Sequence, residues 1–184
     1  LVSSGKVRVV IDEKGLRRDM VQMEFAEHDG WKALKSIDGK WLDQGQMIDA
    51  LRTDIAATYV PGIVGLLREI KWKGGDTGEA VRVTGKASLG RQIEMAVESA
   101  SGKLPEDLAI TIPLFDDLLG EDGFSELFGV SASFDVDVTE RKFRVKLKAG
   151  EVARVELAAD TMIQQRLAAK LTRQNVRIYR ASIG

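Results

Sequence analysis

The stretch Val130–Lys148, VSASFDVDVTERKFRVKLK, holds two runs of strict alternation. In the first, Val130, Ala132, Phe134, Val136 and Val138 fall on one side, and Ser131, Ser133, Asp135, Asp137 and Thr139 on the other. In the second, Phe143, Val145 and Leu147 alternate with Lys142, Arg144, Lys146 and Lys148. A period of two marks strands with one buried and one wet face. Folding the stretch at Thr139–Lys142 sets Val138 against Phe143, Val136 against Val145 and Phe134 against Leu147. The same alignment predicts two structural ion pairs, Asp137 with Arg144 and Asp135 with Lys146. A slip of one residue would turn the charges into the core. Each cross-strand pair contributes only roughly 0.2–1 kcal/mol, so agreement of both faces carries the hairpin.

Upstream, Lys6–Ile11 (KVRVVI) reads as a strand and Asp19–Phe25 as its partner, with Val21, Met23 and Phe25 on one face. The charged connection DEKGLRR, with Arg17 and Arg18, makes a polar tip. Asp29 caps a short helix carrying Trp31, Leu34 and Ile37, which stops near Gly39. Asp43 and Gln46 have capping-box spacing ahead of Met47, Ile48, Leu51 and Ile55, the clearest helix of the chain. Pro61-Gly62 interrupts, and Ile63, Leu66, Leu67 and Ile70 line a further helix with Pro61 in its first turn.

Lys73–Gly78 reads as a flexible loop and Glu79–Thr84 as a short strand. Gln92–Ala100 is taken as a strand, although Ile93 and Val97 also suit a helix. Leu108, Ile110, Ile112 and Leu114 alternate, and Pro113 suggests a strand end or an edge. These two runs are expected to join the organising hairpin in one antiparallel sheet. After the hairpin, Asp160 is expected to cap a helix reaching about Arg173, with Ile163, Leu167 and Leu171 buried, and a short strand follows around Val176 and Ile178.

The expected fold is α+β: an antiparallel sheet, an N-terminal hairpin and about three or four helices. The hairpin forms an arm over 1–28, and 29–184 forms a single domain. A chain of 184 residues, 44% of them hydrophobic, builds a real core, burying about 70% of its unfolded surface. It has no cysteine, which removes disulfides, thiolate metal sites and cysteine catalysis. Its 27 basic and 28 acidic residues nearly cancel, which argues against a strongly basic nucleic-acid binder. No apolar run is long enough to span a membrane. The chain opens on Leu1 rather than methionine, so a preceding segment is expected.

Chemistry is hard to find. Gly85-Lys86-Ala87 and Gly102-Lys103-Leu104 lack the Ser or Thr that would hold magnesium, and Ala80 and Val97 stand where a P-loop needs its upstream glycine. Asp135-Val136-Asp137 places two carboxylates on one face, a pattern that suits a hard cation, but each has a basic neighbour across the hairpin. Asp116-Asp117 sit side by side in a loop, poor geometry for a pair of acids. The lone His28, between Glu27 and Asp29, reads as a solvated junction residue, since no nucleophile motif accompanies it. No catalytic residue, metal site, cofactor or small-molecule ligand is therefore expected.

Two basic clusters, Lys142, Arg144, Lys146 and Lys148, and Lys170, Arg173, Arg177 and Arg180 beside Tyr179, give weak support for nucleic-acid binding. Self-association has the better case. Phe115–Phe128 carries five acids and no base, whereas Arg141–Arg154 holds six bases and one acid. The candidate subunit interface is Phe124, Leu127, Phe128, Asp116 and Asp117 against Arg144 and Lys146, with Arg17 and Arg18 from the arm. The competing reading is that Phe124, Leu127 and Phe128 fold back on their own sheet.

The order of motifs is similar to the YfdQ-like family of uncharacterised phage and prophage proteins. The resembling parts are Trp31–Leu34 (WKAL), Trp41–Leu51 (WLDQGQMIDAL), Gln92–Ala100, Leu108–Phe115 (LAITIPLF) and the Phe134–Leu147 hairpin leading to a helix, over roughly Val7 to Leu171. The resemblance implies a phage or prophage origin and the bacterial host cytoplasm, and it brings no catalytic residues. That origin favours a self-assembling structural protein, a homo-oligomer without enzymatic activity, with an element order loosely similar to the capsid fold of tailed phages and encapsulins. The alternative it implies is an accessory nucleic-acid-binding factor of phage DNA replication or recombination.

Overall fold

The computed structural model describes residues 2–3, 6–11, 19–70, 104–120 and 125–171. The expected strands Glu79–Thr84, Gln92–Ala100 and Val176–Ile178, the tip with Arg17 and Arg18, and the basic cluster beyond Lys170 lie outside the described residues. The elements are β1 Val2–Ser3, β2 Lys6–Ile11, β3 Asp19–Glu24, α1 Asp29–Ile37, β4 Trp41–Asp43, α2 Gln44–Asp49, a π-helical turn Ala50–Asp54, a 3-10 turn Ala57–Tyr59, α3 Ile63–Glu69, β5 Asp107–Pro113, β6 Leu127–Asp137, β7 Lys142–Leu147 and α4 Glu151–Leu171. The fold is a mixed α+β one, and among the described residues it has the N-terminal hairpin, a four-stranded sheet and four helices. The chain divides into two units: Asp29–Ile112 with Gly129–Ala149, and Leu1–His28 with Pro113–Phe128 and Gly150–Gly184.

The first unit is built on the sheet β4-β7-β6-β5. The alternation along β6 and β7 is realised: Val130, Ala132, Phe134 and Val136 are buried, and so are Phe143, Val145 and Leu147. The register differs from the expected one by two residues. Phe134 lies opposite Val145, Val136 opposite Phe143, and Ala132 opposite Leu147. The turn occupies 138–141, one residue earlier than expected, so Val138 leaves the ladder. Asp137 decides this, because its Oδ1 accepts the Glu140 backbone N–H at 2.9 Å. Aspartate at the first position of a turn makes this bond to its own backbone. A two-residue shift keeps every side chain on its face, so alternation alone cannot detect it. The observed register also makes Phe134 and Phe143 diagonal neighbours, with ring centroids 5.9 Å apart and stacked.

The strand β4 went unanticipated. Its three residues pair with β7, Trp41 opposite Arg144, Leu42 opposite Phe143 and Asp43 opposite Lys142. Asp38 prepares the approach, its Oδ1 accepting the Leu147 N–H at 2.8 Å while Gly39 N–H donates to the Val145 carbonyl at 2.9 Å. Asp43 then caps α2 as expected: its carboxylate accepts the Gln46 N–H at 2.8 Å, and the Gln46 side chain accepts the Asp43 N–H at 3.1 Å. This reciprocal pair satisfies two donors that a helix start leaves orphaned. Met47, Leu51 and Ile55 are fully buried. The helix widens into a π turn at Ala50–Asp54, closed by Ile55 N–H on the Ala50 carbonyl at 2.9 Å, and Ala56 follows at φ 73°. Helix α3 starts after Gly62, whose φ of 83° excludes most side chains, so Pro61 stands just before the helix rather than in its first turn. The Gln44 side-chain amide donates to the Leu67 and Ile70 carbonyls at the end of α3.

The second unit holds the sheet β1-β2-β3, with Lys6 opposite Glu24 and Val9 opposite Val21. The Lys6 ammonium, 3.2 Å from Glu24, holds that carboxyl below its usual range. Helix α4 corrects the expected start at Asp160. It begins nine residues earlier, at Glu151, and Asp160 is a buried mid-helix residue. Gly150, at φ 77°, makes the entry, and Arg154 N–H already donates to its carbonyl. Asp160 resembles a cap in sequence because aspartate competes well for exposed helix donors. The run EVARVELAA ahead of it is rich in strong helix formers and continues the same stripe. That stripe is Glu151, Val155, Ala159, Asp160 and Ile163, while Leu167 and Leu171 are only half-buried.

Candidate functional site

The residues proposed for an interface split between the two units, and each set is described in its own unit. In the Pro113–Phe128 segment, chain leaving β5 pairs with chain leaving β3. His28 N–H donates to the Leu114 carbonyl and Asp116 N–H to the Ala26 carbonyl, both at 2.9 Å. The ring of Phe115 lies 6.0 Å from that of Phe25, and Asp117 Oδ2 accepts the Ala26 N–H at 3.3 Å. The segment then doubles back on itself. Leu119 and Ser125 form a bridge, and Glu126 N–H donates to the Leu118 carbonyl at 2.6 Å.

Side chains alternate across such a ladder, and here the alternation sorts them. Leu118 and Phe128 are buried, and so, in its separate bridge with Glu27, is Phe115. Leu119 and Leu127, on the opposite side, are 49% and 51% exposed. With Leu119 paired to Ser125, Leu127 is its diagonal neighbour on the outward face, a spacing of about 7–8 Å between backbones that long side chains bridge. Asp117 shares that outward side and is exposed, as is Asp116. Arg166 of α4 ties the two strands of the ladder, donating Nη1 to the Leu119 carbonyl and Nη2 to the Glu126 carboxylate. Thus Leu127, Asp116 and Asp117 stand on the surface, Phe128 stands in the core, and Phe124 lies outside the described residues. The sequence reading missed Leu119 and Arg166. The doublet Leu118-Leu119 was the available signal, since a strand buries only one of two neighbours.

The basic partner face lies in the other unit, on the outer side of the four-stranded sheet. Arg144 is already engaged. Its Nε and Nη2 donate to Asp135 Oδ2 at 3.0 and 2.8 Å, and its guanidinium stacks on Trp41, 4.4 Å from the ring centroid. The expected pairs Asp135–Lys146 and Asp137–Arg144 are therefore replaced: Asp135 holds Arg144, and Lys146 lies opposite Ser133. The two-residue register shift is the cause. Asp137 faces Lys142 across the ladder, yet Lys142 donates to Glu140 at 2.8 Å, which raises the affinity of that ammonium for its proton. Lys148 reaches Asp107 at 3.0 Å. Among the described residues, the four bases of this row thus share their face with Asp43, Asp107, Asp135, Asp137 and Glu140, whose charge offsets theirs.

The same contacts remove the cation-site geometry of the two aspartates, since one carboxylate faces a guanidinium and the other an amide. Among the described residues no group of three or more His, Asp or Glu side chains is placed to hold a metal ion. Among them, too, no helix is long and apolar enough to cross a membrane. No family model, no curated protein and no solved structure matches this chain.

Proposed function

We propose that this chain is a non-enzymatic structural protein that assembles with copies of itself, with the outward side of Leu119 and Leu127 as the centre of the contact. One observation carries the reading: two leucines, each half exposed, stand side by side on a ladder tied down by Arg166. Single exposed leucines are ordinary. A pair on one side of a bridge, flanked by Asp117, is the arrangement of an interface centre, where desolvated apolar groups contribute most of the affinity and a polar rim sets orientation. The pair is a centre rather than a whole interface, because stable contacts bury about 1,200–2,000 Å². The phage or prophage origin, the host cytoplasm and a capsid-like shell as the assembled form rest on the resemblance in motif order. The nucleic-acid alternative has less support, because the basic row of the sheet is interleaved with acids.

Sedimentation equilibrium of the full chain at micromolar concentration and physiological salt tests this. The wild type is expected to associate, and Leu119→Glu with Leu127→Glu is expected to weaken association at least about tenfold, or about 1.4 kcal/mol. A wild type that stays monomeric overturns the proposal, and an unaffected double variant moves the contact elsewhere.

A further inference from the structure

Of the five large apolar side chains that stand exposed among the described residues, the unit of the four-stranded sheet holds one, Trp41, 39% exposed. It lies opposite Arg144 of β7, whose guanidinium stacks on the ring and is itself held by Asp135. Lys146 follows two residues along β7, so it projects from the same face and is the diagonal neighbour of Trp41. The other three bases of that row each meet an acid of their own unit: Lys142 meets Glu140, Arg144 meets Asp135 and Lys148 meets Asp107. Lys146 is exposed, lies opposite Ser133 and is in no ion pair among the described residues. An exposed ring and an unengaged cation therefore stand together on one sheet face. The leucine pair of the other unit has the matching needs. Leu119 and Leu127 are exposed beside the exposed Asp117, and the segment 115–128 carries five acids and no base. Two such faces pressed together about a two-fold axis would set carboxylates against carboxylates, and like charges across an interface oppose it. A lysine suits both parts of the patch, because its methylene stem packs on apolar side chains while its ammonium reaches a carboxylate at the rim.

We propose that the leucine pair of one copy docks on the Trp41–Lys146 patch of a second copy, with Lys146 set against Asp117. This rests on the self-association reading and names the surface that receives the leucines. The contact is heterologous, because it joins two different surfaces of the same chain. Each copy in a pair keeps one unused face of each kind, so the contact propagates into a ring or an open array instead of stopping at a dimer.

Sedimentation velocity of the full chain, on two variants and their mixture, tests it. Trp41→Ala with Lys146→Glu removes the receiving patch, and Leu119→Glu with Leu127→Glu removes the leucine pair. Each is expected to weaken association at least about tenfold. Mixed in equal amounts, they are expected to form a one-to-one dimer and nothing larger, because each supplies the face that the other lacks. Lys146→Glu alone changes an exposed side chain and is expected to leave the far-UV spectrum as it was. It is expected to weaken association about three- to tenfold, and Asp117→Lys added to the same chain is expected to recover most of that loss. An associating wild type overturns this docking, while self-association stands, if the Trp41–Lys146 variant associates equally, if the mixed variants stay apart, or if the charge swap recovers nothing. A wild type that stays monomeric overturns both.

Discussion

The two units of this chain are held together by different physics. Of the twelve largest fully buried side chains among the described residues, eleven belong to the unit built on the four-stranded sheet, among them Trp31, Met47, Leu51, Phe134 and Phe143. The unit containing the N-terminal sheet and α4 contributes only Leu114. Among the described residues, that second unit instead holds both buried charged side chains, Glu151 and Asp160, and four of the five exposed large apolar ones, Met23, Leu119, Leu127 and Leu157. Among the described residues, the first unit buries most of the large apolar side chains, and the second leaves more of them in water. Apolar area removed from water contributes about 25 cal/mol per Å², so the second unit has the more to gain from a partner. This contrast is why the proposed contact is placed there.

The largest expected effect tests the closed core. Phe134→Ala removes a ring stacked on Phe143 and is expected to cost about 3–5 kcal/mol in urea unfolding. A loss under about 1 kcal/mol would mean that the sheet unit is not the better packed one. Next comes the polar tie of the other unit. Arg166→Ala leaves the Leu119 carbonyl and the Glu126 carboxylate without their donor, at an expected cost of about 1–3 kcal/mol. Limited proteolysis is expected to show earlier cleavage in the 118–127 region, and an unchanged pattern would show that the ladder does not need Arg166.

Two smaller effects sharpen the picture of the sheet unit. Asp135→Ala breaks the contact with Arg144, about two-thirds buried and backed by Trp41, and is expected to cost about 1 kcal/mol, whereas Lys146→Ala is expected to cost under about 0.5 kcal/mol. Equal losses would favour the alternative pairing of Asp135 with Lys146. Smallest is Ala56→Gly. The residue sits at φ 73° after the π turn, where a Cβ is strained, so glycine is expected to stabilise by about 0.5 kcal/mol. Destabilisation by the usual cost of a glycine would show that Ala56 is unstrained.

Local chemistry was enough to place a short helix at Asp29, although Asp29 is its first residue rather than a cap before it, and to foresee the Asp43–Gln46 box, because these depend on residues three or four apart. It was enough to divide β5, β6 and β7 into buried and exposed faces, since alternation belongs to each strand alone. It did not reveal β4, whose hydrogen-bond partners lie about a hundred positions away along the chain. The start of α4 was missed because a central aspartate resembles a cap until its surroundings show it buried.

The chain's own letters determined which faces are apolar, where charge collects and that a hairpin closes near Thr139. Only the tertiary structure decided which Asp meets which base and which leucine of the 118–119 pair stays outside. The physical reason is that a period of two is unchanged by a shift of two. Choosing among registers falls to a single turn hydrogen bond accepted by Asp137 and to contacts, such as Arg144 on Trp41, between residues that have no relation along the chain.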